Sequence, residues 1–121
     1  MSNSARSVLV FGWYLVALGG LLVTAPNTLL GLFFLPSTSE VWLRVVGVLL
    51  LILAFYDIQA ARHGLTALFQ WTVYARASVI VFFTAFVLLG YVAPPLILFG
   101  VVDLLGAIWT QVALRAERSV R

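Results

Sequence analysis

Four charged side chains lie inside long apolar runs of this sequence, and their types and positions make them its strongest candidates for chemistry. They are Arg44, Asp57, Arg76 and Asp103. A carboxyl group in a membrane can carry a proton in acid–base catalysis, with an arginine as its electrostatic partner. Asp103 and Asp57 are therefore the candidate catalytic residues, and all four are candidates for ligand binding or ion pairing.

The pairing of these charges follows from their depth along helices. Helical residues advance by about 1.5 Å each, which puts Arg44 and Asp103 towards one membrane face and Asp57 and Arg76 towards the other. The sequence therefore predicts two ion pairs, Arg44–Asp103 and Asp57–Arg76, while a single mixed cluster stays open. One interpretation is that these pairs are purely structural, because an unpaired charge in hydrocarbon is costly and pairing alone lowers that cost. A polar cavity for a ligand, proton or ion is the alternative.

Composition places these charges in a membrane. The chain has 121 residues, enough for one domain, and is 64% apolar but only 9% charged. Soluble domains carry about 25% charged residues, so a bilayer is the expected solvent. The chain has no cysteine and one histidine, which excludes disulfides, a histidine cage and bis-histidine haem ligation within one chain. We expect no cofactor, no metal and no nucleic-acid partner.

Hydrophobic runs of 17 residues or more predict membrane-spanning helices. Between the first two lies an apolar segment too short to cross, residues 27–35, which predicts a short interfacial helix. The fold class is therefore all-α, a four-transmembrane-helix bundle with a short interfacial helix between helices 1 and 2. The predicted spans are residues 8–25, 38–63, 67–90 and 95–115.

Local signals refine these spans. The sequence Ser37-Thr38-Ser39-Glu40 has the form of a capping box at the start of the second span, and Gly64 is placed to end it. Two sets of residues fall on helix faces that are mostly small, and the first of them predicts close packing of another helix. The first comprises Gly12, Val16, Gly19 and Val23, and the second comprises Gly47, Ala54, Asp57 and Ala61. Near the start of the first span, Trp13 and Tyr14 are expected as interfacial anchors.

Four spans put both termini on one side of the membrane. Positive residues concentrate on that side: Arg6, Arg62, Arg115, Arg118 and Arg121. By the positive-inside rule, the termini are expected in the cytoplasm and the protein in an inner (plasma) membrane.

Residues 42–57, WLRVVGVLLLILAFYD, resemble the opening of a helix in small four-helix bacterial membrane proteins of the DoxX-like kind. Residues 103–110, DLLGAIWT, are similar to the last helix of related uncharacterised families. The resemblance implies the fold and an accessory or undefined membrane role. The Arg44-to-Gly47 spacing and its place in the second helix depart from the DoxX-like pattern. Small multidrug-resistance transporters are similar in length, but they depend on a glutamate in their first helix, and residues 8–25 contain no acid.

Three functions are compatible with these features. The first is an accessory subunit or a module that binds a lipophilic small molecule, and the alternative is a membrane enzyme using acid–base chemistry on a lipophilic substrate. A proton-coupled small exporter is third. A bundle this small encloses little volume, so we expect a homo-oligomer or a larger membrane complex as well as the lipid bilayer as partners.

Overall fold

The computed structural model describes residues 2–32, 34–37 and 41–120 of the chain, and these residues fold almost entirely into helices. A short 3-10 turn, Pro94–Leu96, precedes the last long helix. The α-helices are α1 (Asn3–Thr24), α2 (Pro26–Leu32), α3 (Trp42–His63), α4 (Thr66–Leu88) and α5 (Ile97–Val120). The predicted all-α bundle of four long helices and one short helix is confirmed.

The four long helices have the length and composition of membrane spans. They contain 22, 22, 23 and 24 residues, which at about 1.5 Å per residue makes each more than 30 Å long. The mean hydropathy of their most apolar stretches lies between 1.7 and 2.0. These helices indicate a multi-pass membrane protein.

Two helix starts differ from prediction. The first helix begins at Asn3 rather than residue 8, because the Ser2 hydroxyl accepts a hydrogen bond from the Ala5 N–H at 3.1 Å and caps it. The third helix begins at Trp42 rather than residue 38, without a side-chain cap. Of the predicted capping box, residues 38–40 lie outside the described residues.

The predicted end of α3 is confirmed at Gly64. Its backbone has a φ of 64° and a ψ of 38°, the left-handed conformation that favours glycine. Its N–H bonds to the carbonyls of Ala60 and Ala61. This turn reverses the chain directly into α4.

The helices associate as two pairs, α1 with α3 and α4 with α5, and α1 also packs against α5. Glycines set the first pair. A Cβ atom on Gly19 would lie 2.8 Å from the Gly47 carbonyl oxygen, and one on Gly47 would lie 2.8 Å from the Gly19 oxygen. A Cβ atom on Gly12 would lie 2.9 Å from the Ile58 side chain, 3.4 Å from Asp57 and 3.5 Å from the Ala54 carbonyl oxygen. The two predicted faces of mostly small residues therefore meet, as close helix packing in a membrane requires.

The outward faces of the helices are apolar and rich in large side chains, as expected for surfaces in lipid. Examples are Trp13, Phe55, Trp71, Phe82 and Leu105. Trp13 lies about 15 Å from the start of α1, so the expected interfacial anchor is instead a mid-span, lipid-facing residue. The change follows from the earlier start of the helix.

The glycine crossing offers a test of the fold with a built-in control. Gly19→Ala should destabilise the protein by about 1–3 kcal/mol, because the added methyl group must displace the backbone of α3. Gly20 has open space around its Cα, so Gly20→Ala should be neutral or stabilising by up to about 1 kcal/mol. Unfolding of both variants in detergent micelles measures the difference. Equal stabilities would contradict the close α1–α3 crossing.

Candidate functional site

Arg76 lies at the centre of the bundle. Its side chain is only 6% exposed and shares the inner face of α4 with the buried Phe69 and Val73. Tyr74 lies on the opposite face and is 67% exposed. The guanidinium therefore points into the protein and away from lipid, about 15 Å from the end of the bundle where the termini lie.

Neutral groups hold this guanidinium in place. Its Nη2 donates to the Thr110 hydroxyl at 2.9 Å and to the Thr72 hydroxyl at 3.3 Å, and its Nε donates to the Thr72 carbonyl at 3.3 Å. The ring of Phe11 lies 4.7 Å from the guanidinium carbon, at the distance of a cation–π contact. Gly106 leaves the necessary space, since a Cβ there would lie 3.3 Å from both Nη1 and the Phe11 ring.

One nitrogen of Arg76 is left over. Nη1 is buried and has no hydrogen-bond partner among the described residues. Asp57 and Asp103 both interact electrostatically with Arg76, but neither forms a direct ion pair with it in the described part of the chain. Asp57, Arg76 and Asp103 thus make one central cluster, which corresponds to the mixed arrangement that the sequence left open, with three of the four charges.

Arg44 is the fourth charge, and it lies apart from this cluster. Its Nη1 donates to the carbonyl of Val23. Because α3 begins at Trp42, Arg44 lies in the first helical turn, where it reaches a carbonyl in the last turn of α1 that has no partner within its own helix. The predicted Arg44–Asp103 ion pair was therefore wrong. Asp57 and Arg76, the other predicted pair, interact electrostatically but form no salt bridge within the described ranges.

A ladder of polar side chains leads from the central cluster to the end of the bundle where the termini lie. The Thr110 hydroxyl lies 2.6 Å from the Ser7 hydroxyl, which also donates to the Ser4 carbonyl at 2.7 Å. The carboxylate of Glu117 accepts hydrogen bonds from the N–H and hydroxyl of Ser4 at 3.0 and 2.7 Å. These bonds join α1 to α5, and one of them holds the Thr110 hydroxyl that supports Arg76.

Sequence reasoning missed Ser4 and Ser7 because it assigned residues 1–7 to a polar tail. Their spacing with Phe11, three and then four residues apart, is helical and would have placed all three on one face. Interhelical hydrogen bonds also join Gln70 to Gln111, at 2.7 Å, and Arg76 to Thr110. Thr84 makes none with the described residues.

An apolar cavity of about 190 Å³ lies between the helices on the side away from the termini. Its walls come from all five α-helices and are mostly leucine, with the aromatic rings of Tyr14, Phe83 and Phe99. Asp103 is the one charged residue lining it among those described. Tyr14, expected at the membrane surface, instead lies at the inner end of this cavity and interacts electrostatically with Asp103.

The remaining polar residues are weaker candidates for a functional site. His63 is exposed at the C-terminal end of α3 beside Arg62, where both line a wide, open cavity. No three histidine, aspartate or glutamate side chains come together as metal ligands in the described ranges. The groups available for chemistry are therefore the carboxylate of Asp103, which lines the apolar cavity, and the guanidinium of Arg76 and carboxylate of Asp57, which do not line it.

Comparisons of the chain with protein-family models, curated proteins and solved structures gave no match. They add nothing to the resemblance to DoxX-like proteins. A function for the cluster and the cavity is therefore argued from their geometry.

The hydroxyl support of Arg76 can be tested by a matched pair of substitutions. Thr110→Val removes a hydroxyl bonded to both Arg76 and Ser7 and should destabilise the protein by about 1–3 kcal/mol. Thr84→Val makes the same chemical change on α4, at a hydroxyl that forms no interhelical bond with the described residues, and it should change stability by less than about 0.5 kcal/mol. Thermal unfolding in micelles compares them. If both variants unfold alike, Thr110 does not support the guanidinium.

Proposed function

We propose that this protein is a small inner-membrane module that binds a lipophilic molecule inside its bundle, in the cavity that ends at Asp103. One observation carries the proposal. The cavity is lined almost wholly by apolar side chains and has a single carboxylate among its described lining residues. Binding sites for small molecules commonly combine apolar walls with a few polar groups that orient the ligand.

The size of the cavity defines what fits. An apolar protein cavity of about 150 Å³ accommodates benzene, so a volume of about 190 Å³ suits one small ring or a short alkyl group. A longer molecule would keep the rest of its length outside the cavity. A small aromatic or alkyl compound, or one end of a longer lipid, is therefore the proposed class of ligand.

Acid–base catalysis, the alternative function, has weaker support. A catalytic carboxylate would need its arginine partner beside the reacting group. Asp103 lines the cavity, but Asp57 and Arg76 do not, and Arg76 is engaged by Thr72 and Thr110. A bound molecule thus meets one carboxylate alone, an arrangement that favours binding over catalysis.

Orientation is part of the proposal. The start of α1 and the end of α5 lie at the same end of the bundle, together with the α3–α4 turn that carries Arg62. The excess of arginine at this end supports cytoplasmic termini. Assembly into a homo-oligomer or a larger complex stays a prediction of the sequence.

Filling the cavity tests the binding proposal. Leu18 lines the cavity from α1, and Leu18→Trp should put an indole into the space that the ligand would take. In lipid nanodiscs, binding of a neutral ring-bearing probe such as benzyl alcohol should weaken by about tenfold or more, because the probe and the indole compete for one volume. Calorimetry, corrected with empty nanodiscs, measures the affinity.

Leu105→Trp is the matched control, since Leu105 lies on α5 and is 61% exposed to lipid. It should bind the probe like the unmodified protein. Unmodified protein that binds no more probe than Leu18→Trp would end the binding proposal.

The proposed orientation predicts the behaviour of reporter fusions. A fluorescent protein that matures only in the cytoplasm should fluoresce when fused after Arg121. A phosphatase that is active only outside the cytoplasm should be active when fused after Gly90, which follows α4 at the opposite end. The reverse pattern of activities would show that the termini are outside.

A further inference from the structure

The central cluster is short of one positive charge, and this defines the ligand more closely. When all three groups are ionised, Asp57 and Asp103 contribute two negative charges and Arg76 contributes one positive charge. The cluster lies within spans, where net charge is costly and is balanced either by a proton on one carboxyl group or by a bound cation. Arg44 does not supply the missing charge, because it bonds to Val23 at the far end of α1 and does not line the cavity.

From the positions of these groups we infer that the unbalanced negative charge lies at Asp103. The guanidinium of Arg76 is drawn towards Thr72, Thr110 and the Phe11 ring. Its free N–H groups, on Nη1, face Gly106, one helical turn beyond Asp103 on α5. Asp103 therefore lies between Arg76 and the cavity, and a molecule in the cavity meets the carboxylate before it meets the guanidinium.

Aromatic rings stand around the same end of the cavity. Tyr14 interacts with Asp103 across the α1–α5 interface, and Phe99 precedes Asp103 by one turn on the same face of α5. Both rings line the cavity. A carboxylate and aromatic rings lining one apolar enclosure are a combination that recognises ammonium groups. This observation is independent of the charge count and points to the same ligand.

We propose that the cavity binds small lipophilic amines, with the ammonium group against Asp103 and the apolar body among the leucines. The inference rests on the proposed binding function and names its ligand class. A neutral alcohol of the same shape would leave the charge of the cluster unbalanced, and a carboxylic acid would meet Asp103 as a like charge. The site thus selects by charge at one end and by apolar fit along its length.

Three probes of one shape and different charge test this: benzylamine, benzyl alcohol and benzoate. They are measured by calorimetry on the full chain in lipid nanodiscs, with empty nanodiscs subtracted because amines and alcohols also enter lipid. Benzylamine should bind about tenfold or more tightly than benzyl alcohol, as expected for a charge-assisted hydrogen bond. Benzoate should not bind above background. Methylammonium, which has the charge without the ring, should bind at least about tenfold more weakly than benzylamine.

Two variants, each with one aspartate changed to asparagine, test which carboxylate gives the site its preference for the amine. Asp103→Asn should abolish the preference for the amine over the alcohol. Asp57→Asn removes the same charge from the cluster at a residue that does not line the cavity. It should reduce the preference, because the remaining charges balance, but by less than Asp103→Asn, which also removes the carboxylate that meets the ammonium group. Equal loss in the two variants would contradict contact between the ammonium group and Asp103. If Asp103→Asn does not fold, the probe series on the unmodified protein still decides the ligand class.

The outcomes separate this inference from the proposed function. Equal binding of benzylamine and benzyl alcohol, both weakened by Leu18→Trp, would overturn the amine class and leave lipophilic binding standing. Tighter binding of benzoate would overturn it in favour of an anion at Arg76. Methylammonium binding as tightly as benzylamine would overturn it in favour of an ion site. No binding of any ring-bearing probe would overturn both proposals.

Discussion

The buried guanidinium of Arg76 is the constraint on which the bundle depends. A permanent charge in the middle of a membrane protein needs hydrogen-bond acceptors and electrostatic partners, and here these come from α1, α3, α4 and α5. Thr110 and Thr72 accept its N–H groups, Phe11 offers its ring, and Gly106 makes room. The serine ladder at the start of α1 then satisfies Thr110. A single charged side chain thus accounts for the polar residues along the α1–α5 interface.

The way in which Arg76 is held also explains why a cavity exists on the side of Asp103 away from the guanidinium. The hydroxyl groups hold the guanidinium towards the end of the bundle where the termini lie, so it does not reach the cavity. The close Gly19–Gly47 crossing positions α3 against α1, and Gly100 packs on Ile80 to join α5 to α4. With each pair fixed by its own crossing, leucine side chains line the space between them, and Asp103 is left facing that space.

Periodicity and composition were sufficient to predict the fold. The four long apolar helices, the short helix, the Gly64 turn and the small-residue faces all express local sequence properties, and each is found, although α1 and α3 begin at other residues than predicted. The pairing of charges was not predictable in the same way, because it depends on side-chain reach and on a helix start. Moving the start of α3 to Trp42 puts Arg44 beside Val23 and removes it from the cluster. The cavity depends on how side chains from five helices meet, which no single segment encodes.

An experimental structure of the protein in lipid nanodiscs is the most direct test of this account. It should show the Arg76 guanidinium between Thr72 and Thr110, above the Phe11 ring, with density for a non-protein molecule in the leucine-lined cavity ending at Asp103. Direct ion pairing of Arg76 with Asp103 across a filled cavity would contradict it, because the carboxylate would then have no space and no unbalanced charge to offer a ligand.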